Sequence, residues 1–233
     1  MQTYQVRHRD RTTLFSGNYR NLRECIEDAC LRGVRLDGAD FSHLDLSEIN
    51  LDGLSITNVN FSFTNLTGAN LSEATLTDCH FENTSLFNTC LCHSAFTGCR
   101  FTDVSCGGTD IAGASFTDCV LTGWDLLGLD WTACASMSRM VVSLRGQSYA
   151  MTRPPLVLYA ALHEIPSARI AMLDDMVAVG DSLFFLHQNV WHPHSSLQPP
   201  LTAGLIKALG ALAALRGEAS AGDLVETKKS TIS

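Results

Sequence analysis

The sequence has no long apolar run and no apolar N-terminal segment. Its longest apolar tract, residues 201–215, contains Lys207 and is shorter than the roughly 20 residues that a membrane-spanning helix needs. Residues 1–11 are polar and basic, unlike the charged-then-apolar start of a secretory signal peptide. We therefore expect a cytoplasmic protein that does not bind a membrane.

Motifs of catalysis and cofactor binding are also missing. There is no Gly-x-Ser-x-Gly nucleophile elbow, no glycine-rich phosphate-binding loop and no Cys/His spacing typical of structural zinc. His187, His192 and His194 form a histidine-rich segment, for which a surface loop is a more common interpretation than a metal site. We expect no enzyme activity, no cofactor and no metal. The alternative is a small ligand-binding, metal-binding or catalytic module in the C-terminal part of the chain.

The sequence does contain a large apolar residue at every fifth position of its central hundred residues. Neither the 3.6-residue period of an α-helix nor the two-residue period of a β-strand produces this spacing. Such a strict period indicates a repeat architecture, in which one small unit stacks on the next. The series is Leu36, Phe41, Leu46, Leu51, Ile56, Phe61, Leu66, Leu71, Leu76, Phe81, Leu86, Leu91, Phe96, Phe101, Cys106, Ile111, Phe116, Leu121, Leu126 and Trp131.

The other positions of each unit follow a pattern as well. A small residue lies two positions before the large one, Asp or Asn often directly precedes it, and Gly, Asn, Asp or Glu often ends the unit, as at 39–43 and 69–73. This pattern resembles the A(D/N)LXX motif of the pentapeptide-repeat family, over twenty units from Val34 to Ala133. The resemblance implies a mainly β fold, a right-handed quadrilateral β-helix of four units per coil and about five coils.

Like residues recur twenty positions apart, as a coil of four units requires. They should stack in columns, and the phenylalanine column should dominate the core because each buried ring contributes about 2–3 kcal/mol. The cysteine column occupies small inward positions, which favours buried thiols over disulfides, as does the odd total of nine cysteines. The columns are Phe41, Phe61, Phe81 and Phe101; Cys79, Cys99 and Cys119; and Thr57, Thr77, Thr97 and Thr117.

An N-terminal cap is predicted at residues 1–33, before the repeats at 34–133. Two short strands are followed by a helix that begins at Asn21, which forms a capping-box pattern with Glu24. A cap of this kind covers the apolar core and the open strand edge at the end of a solenoid. The start of the chain also resembles that of pentapeptide-repeat proteins from phages and prophages, at residues 4–10 and 22–24.

The five-residue period is lost in the C-terminal hundred residues. We predict a small α+β domain at 134–216, in which strands precede an amphipathic helix at 201–216. Residues 217–233 are expected to form a flexible tail. The predicted strands are residues 141–144, 156–162, 169–173 and 176–185, with a turn signal at 180–181.

Basic residues are nearly absent from the repeats. Residues 34–133 contain thirteen carboxylates and two arginines, a net charge of −11, compared with −8 for the whole chain. This excludes direct binding of nucleic acid, which needs a basic footprint. It favours attraction to a basic groove on a partner protein. A simpler interpretation is that the carboxylates only keep the surface solvated.

The family resemblance also implies a class of partner, because its quinolone-resistance proteins resemble duplex DNA and engage DNA gyrase. The expected function is a non-enzymatic interaction module for a partner protein, with a DNA-processing enzyme such as DNA gyrase as the candidate. In this sequence the carboxylates scatter over all four sides of the coil and no loop interrupts the repeats. The candidate partner-binding residues are Asp103, Asp110, Asp118, Asp125 and Asp130.

The last predicted coil carries apolar bulk at positions that normally face solvent. Either the C-terminal domain covers this patch or a second copy of the chain does. The protein is accordingly expected to be a monomer or a homodimer that pairs through its C-terminal end. The residues of this patch are Trp124, Leu127, Leu129 and Trp131.

Overall fold

The computed structural model describes residues 1–123, 125–144, 146–162, 165–174, 176–179, 182–187 and 190–193. The chain divides into two compact units, Met1–Thr152 and Arg153–Ser233. In the described ranges the regular elements of both units are mainly β-strands, and a single α-helix lies near the N-terminus. No helix in these ranges has the length and hydropathy of a membrane span.

The N-terminal cap has the predicted strands and helix. Strand β1 (Gln2–Arg7) pairs antiparallel with β2 (Thr13–Tyr19), and helix α1 (Leu22–Leu31) follows. The predicted helix start is confirmed, because the Asn21 side chain accepts a hydrogen bond from the backbone N–H of Glu24 at 2.8 Å. The helix buries Cys25, Ile26 and Ala29.

Backbone hydrogen bonds join the cap to the first coil. His8 forms an antiparallel bridge with Ala39, and the N–H of Asp40 donates to the carbonyl of Arg7 at 2.8 Å. The N–H of Arg9 donates to a carbonyl of the same coil at 3.0 Å. These bonds pair part of a strand edge that would otherwise be open.

Short parallel strands stack coil upon coil in two sheets. Phe81 lies opposite Phe101 and Leu76 opposite Phe96, so each coil contains twenty residues. The predicted β-solenoid and its register are confirmed. One sheet contains β3 (Ser55–Thr57), β4 (Thr75–Thr77), β6 (Ala95–Thr97), β8 (Ser115–Thr117) and β10 (Ser136–Ser138). The other contains β5 (His80–Glu82), β7 (Arg100–Thr102), β9 (Val120–Thr122), β11 (Met140–Leu144) and β12 (Gln147–Met151), and only β12 runs antiparallel to its neighbour.

The predicted phenylalanine column forms the centre of the core. The ring centroids of Phe61 and Phe81 lie 4.9 Å apart, and those of Phe81 and Phe101 lie 4.8 Å apart, with the planes of each pair within 6°. Phe41 is tilted against Phe61 at 5.5 Å. All four side chains are buried. The twenty-residue register therefore produces continuous aromatic packing along the solenoid.

The residue two positions before each large one donates a side-chain hydrogen bond where it is threonine, serine or cysteine. The buried Thr84 hydroxyl donates to the carbonyl of Phe61 at 2.7 Å, and that of Ser94 donates to the carbonyl of Leu71 at 2.6 Å. A buried hydroxyl without a partner would cost about 1–3 kcal/mol, so each donor here needs the carbonyl of the preceding coil. The cysteine column occupies the same position. All nine cysteines lie in the described ranges and are free thiols, and Cys79, Cys99 and Cys119 are buried as predicted.

Every unit from Gly38 to Asp118 ends at a residue with a positive φ angle. The left-handed region costs most L-residues about 1–2 kcal/mol, whereas Gly, Asn and Asp tolerate it. This backbone requirement explains why these residues often end the unit. Phe63 and Glu73, with φ of 60° and 56°, occupy the position without that advantage.

Replacing Glu73 by glycine should raise the free energy of unfolding by about 0.5–1 kcal/mol, because glycine relieves the left-handed strain. Glu82→Gly makes the same change of charge and size in strand β5, where φ is not positive. It should lower the free energy of unfolding by about 0.5–1 kcal/mol. Urea denaturation measures both values, and effects of the same sign would contradict the explanation.

The regular repeat ends earlier than predicted. After Thr122 the units give way to 3₁₀ helices at Asp125–Gly128 and Trp131–Ala133. Ser115 pairs with Ser136, twenty-one positions on, so the last coil accommodates one additional residue. The solenoid has about four turns, where about five coils were predicted. Strands β10 to β12 continue its sheets, so the first compact unit extends past the boundary predicted after residue 133.

The described part of the second unit is an antiparallel sheet in which each strand pairs with the next along the chain. The strands predicted at 156–162, 169–173 and 176–185 overlap it. The helix predicted at 201–216 and the tail predicted at 217–233 lie outside the described residues. The strands are β13 (Leu156–Leu162), β14 (Ile165–Met172), β15 (Met176–Val179), β16 (Ser182–His187) and β17 (Val190–Pro193).

Candidate interaction surface

The Asp or Asn before each large residue stabilises the solenoid itself. The Asp45 carboxylate accepts a hydrogen bond from the N–H of Ser47 at 3.2 Å and another from the Asn65 amide of the next coil at 2.9 Å. Hydrogen bonds from Ser47 lower the pKa of Asp45. Asp40 makes the equivalent bonds to Ser42 and Asn60. Acidic residues at this position therefore hold the turn and tie neighbouring coils together.

Two of the five predicted partner-binding residues have this structural role. The Asp110 carboxylate accepts the N–H of Ala112 at 2.9 Å. The Asp130 carboxylate accepts the N–H of Thr132 at 3.1 Å and also the Thr132 hydroxyl. Both carboxylates are exposed, but part of their hydrogen-bonding capacity is used within the chain.

The other three predicted residues differ from one another. Asp118 accepts two hydrogen bonds of 2.6 Å from Arg139, which lower the pKa of Asp118. Asp103 is exposed at a unit end, and Asp125 is the exposed first residue of a 3₁₀ helix. The register puts Asp103, Asp110 and Asp118 on three different sides of the coil, so the structure does not gather the five residues into one site. Their role in binding a partner stays a prediction.

Four further exposed carboxylates, together with Asp103, define the acidic surface more sharply. Within the described part of the chain, these carboxylates form no ion pair and no side-chain hydrogen bond. Asp52 and Glu73 lie on adjacent coils of one side, and Glu82 and Asp103 lie on adjacent coils of the opposite side. Asp78 ends its unit, at the corner where one side of the coil meets the next. The set is Asp52, Glu73, Asp78, Glu82 and Asp103.

A positively charged group interrupts the side that carries Glu82. Arg9, from the loop between β1 and β2, donates to the Asn58 amide oxygen at 2.9 Å, and its guanidinium lies 3.3 Å from His80 Nδ1. Arg100 lies beside His80 in the next coil. Burial, followed by the charges of Arg9 and Arg100, lowers the pKa of His80. Sequence analysis missed this group, because Arg9 is distant in sequence and lies outside the repeat pattern.

Two of the four residues in the apolar patch of the last predicted coil are buried within the chain. Leu127 and Trp131 are buried, and the Trp131 ring packs edge-on against Phe116 at 5.1 Å. Leu129 is partly exposed, and Trp124 lies outside the described residues. Whether the C-terminal domain or a second copy of the chain meets this patch stays a prediction.

The histidine-rich segment lies partly in the second sheet. His187 pairs with Val190 and His192 pairs with Phe185 across β16 and β17, while His194 lies outside the described residues. Across the residues that the structure describes, no three potential metal ligands come together. A metal-binding or catalytic module in this region stays a prediction.

The repeat pattern is also found by comparison with known families. A family model described as pentapeptide repeats matches residues 29–67, 55–91 and 64–103, in eight copies. Residues 29–103 therefore carry the repeats of the pentapeptide-repeat family. The match covers most of the regular coils of the pentapeptide-repeat solenoid and ends before the 3₁₀ turns. No curated protein sequence matches the chain significantly.

Several solved pentapeptide-repeat structures are similar to part of the chain. Rfr23 from the cyanobacterium Cyanothece 51142 is 14% identical, with coverage of 54% of this chain and 97% of that one and a TM-score of 0.40. QnrB1, a plasmid-mediated fluoroquinolone resistance protein, is 15% identical, with coverage of 43% and 52% and a TM-score of 0.37. A protein from the Arabidopsis thaliana thylakoid lumen is 30% identical, with coverage of 36% and 66% and a TM-score of 0.30. The activities that these names indicate are those of the neighbouring proteins.

Proposed function

We propose that the solenoid is a non-enzymatic interaction module that binds a basic surface of a partner protein. The observation that carries this proposal is the set of five exposed carboxylates without intramolecular partners, in a repeat region with a net charge of −11. Carboxylates that are already paired would have to exchange one partner for another, whereas these are free to pair across an interface. Such charge complementarity accelerates association and selects basic partners.

The side that carries Asp52 and Glu73 is the better candidate for the contact. Its units, 49–53, 69–73, 89–93 and 109–113, contain no lysine or arginine, and Asp110 extends the acidic character by two coils. The opposite side mixes Glu82 and Asp103 with Arg9 and Arg100. A basic partner would therefore be attracted to the first side and partly repelled by the second.

The partner class that we propose is a DNA-processing enzyme with a basic DNA-binding groove, such as DNA gyrase. An elongated stack of coils with carboxylates along one side presents negative charge at intervals, as a duplex does to such a groove. The unpaired thiols are compatible with a reducing, cytoplasmic setting for this interaction.

The double variant Asp52→Asn with Glu73→Gln neutralises the favoured side. It should weaken binding to the partner by about tenfold, because two charges at the interface are lost. The matched control, Glu82→Gln with Asp103→Asn, removes the same charge from the opposite side and should weaken binding less than about threefold. Supercoiling by DNA gyrase, with and without a fluoroquinolone, provides the measurement for the gyrase candidate. For other enzymes, affinity capture with the full chain identifies the partner, and titration of the captured partner with each variant measures its affinity.

Three outcomes separate the elements of this proposal. An absence of any effect on gyrase at micromolar protein would exclude gyrase as the partner. Equal weakening by both double variants would contradict the choice of side. A captured partner whose binding does not weaken with rising salt would contradict the electrostatic mechanism itself.

A further inference from the structure

Two thiols lie in contact on the same side of the solenoid as Asp52 and Glu73. Cys90 Sγ and Cys92 Sγ are 3.0 Å apart, and the Ser72 hydroxyl is 3.1 Å from Cys90 Sγ. Both cysteines are half-buried, so their sulfur atoms are shielded but not enclosed. A disulfide bond is about 2.05 Å long, so the two sulfur atoms need to approach by only about 1 Å to form one.

The solenoid holds this pair in place through its backbone ladder. The carbonyl of Cys90 accepts the N–H of Leu71 at 2.9 Å, and the carbonyl of Cys92 accepts the N–H of Glu73 at 2.9 Å. The N–H of Cys90 donates to the preceding coil at 3.0 Å. Because both backbones are fixed on the same ladder, the proximity of the thiols is built into the fold and needs no rearrangement to arise.

The other cysteines are in different situations. The column of Cys79, Cys99 and Cys119 is buried and donates to backbone carbonyls. Cys30 and Cys134 are half-buried like the pair, but no second sulfur is hydrogen-bonded to either of them in the described part of the chain. They therefore serve as internal controls with similar exposure.

We propose that Cys90 and Cys92 form a dithiol site that exchanges reversibly with low-molecular-weight disulfides of the glutathione type. The site is independent of the proposed interaction function, since it needs no protein partner. It also uses the Cys-x-Cys spacing, which the repeat pattern alone does not require.

The acidities of the two thiols suit them to different steps. Burial alone would raise the pKa of Cys90, but its hydrogen bonds with Cys92 and Ser72 outweigh burial and lower that pKa. Burial, together with the hydrogen bond to Cys90, raises the pKa of Cys92 to about 12. Burial raises the pKa of Cys30 and that of Cys134 to about 11 each. Cys90 is therefore the attacking thiolate and Cys92 the resolving thiol.

The exchange proceeds in two balanced steps. In the first, the Cys90 thiolate attacks one sulfur atom of the small disulfide, a mixed disulfide forms on Cys90, and one small thiolate leaves and takes up a proton from water. In the second, Cys92 Sγ attacks Cys90 Sγ, and the Cys92 proton passes through water to the small thiolate that leaves. The Cys90–Cys92 bond forms and the second small thiolate leaves. Two electrons pass from the protein to the small disulfide, which is reduced to two thiols.

The test uses the full, reduced chain equilibrated with mixtures of oxidised and reduced glutathione, trapped by alkylation and analysed by mass spectrometry. As the ratio of oxidised to reduced glutathione rises, Cys90 and Cys92 should together become resistant to alkylation, and their peptide should be lighter by two hydrogen atoms. At the same ratios Cys30 and Cys134 should still be alkylated. Cys90 should also react roughly tenfold faster than Cys30, because more of it is thiolate. Cys92→Ser should stop the reaction at a stable glutathione adduct on Cys90, and Cys90→Ser should abolish it.

Both serine variants should fold, because Ser72 occupies the position of Cys92 one coil earlier and polar residues occupy that of Cys90 in adjacent coils. Far-UV circular dichroism checks this. The proposal would be overturned if Cys90 and Cys92 were alkylated to the same extent as Cys30 and Cys134 at every ratio of oxidised to reduced glutathione. A glutathione adduct that persists on the unmodified chain without being resolved would also overturn it.

Discussion

Replacing Phe81 by aspartate should leave the chain largely unfolded at room temperature. The ring is buried and stacks between Phe61 and Phe101 at 4.9 and 4.8 Å. Truncating a buried phenylalanine costs about 3–5 kcal/mol, and a carboxylate without a partner in that space adds several kcal/mol of desolvation. The sum is comparable to the roughly 5–15 kcal/mol of total stability typical of a domain. Circular dichroism and thermal unfolding provide the measurement.

Phe63→Asp is the matched control for this change. Phe63 is 48% exposed and has a φ angle of 60°, which aspartate tolerates better than phenylalanine. The variant loses a stacking contact with His43 at 4.8 Å but gains backbone compatibility, so the free energy of unfolding should change by less than about 1 kcal/mol. If Phe81→Asp kept wild-type thermal stability, the proposed core register would be wrong.

A chain that ends at Ala133 should lose cooperative folding or aggregate, whereas one that ends at Thr152 should keep the solenoid. The longer chain retains β10 to β12, which pair with the solenoid through bonds such as Val141 N–H to the carbonyl of Cys119 at 3.0 Å. The shorter one loses four buried side chains, worth about 6–12 kcal/mol together, and opens two strand edges. The four are Met140, Val142, Leu144 and Met151.

Thermal unfolding and size-exclusion chromatography of both chains test this prediction. The chain ending at Thr152 should unfold in a single transition. If the chain ending at Ala133 remained monomeric with the same transition, the strands after residue 133 would not be needed to close the solenoid.

The fold was largely predictable because its hydrogen-bond ladder repeats. Once each coil contains twenty residues, Phe61, Phe81 and Phe101 must stack, and each large apolar residue must point inward. The Asn21 cap was predictable for a similar reason, since it depends on a partner only three residues away. The prediction failed after Thr122, where the additional residue of the last coil breaks the register without a conspicuous break in the apolar spacing.

The candidate site was less predictable than the fold. The sequence identifies thirteen carboxylates in the repeats but does not distinguish those that hold turns, such as Asp110, from those that face solvent unpaired, such as Asp52. It also does not show that Arg139 pairs with Asp118, or that Arg9 reaches His80. These contacts join repeats to segments outside the period, so no periodic rule predicts them.

The sequence by itself determined the five-residue unit, the twenty-residue coil, the buried columns and the acidic character of the repeats. Their physical basis is local, because apolar spacing and backbone pairing repeat from unit to unit. Only the tertiary structure decided which carboxylates are free, where positive charge interrupts them, and that Cys90 and Cys92 lie in contact. Those features depend on the directions of individual side chains and on neighbours from other coils, which the period of a sequence does not encode.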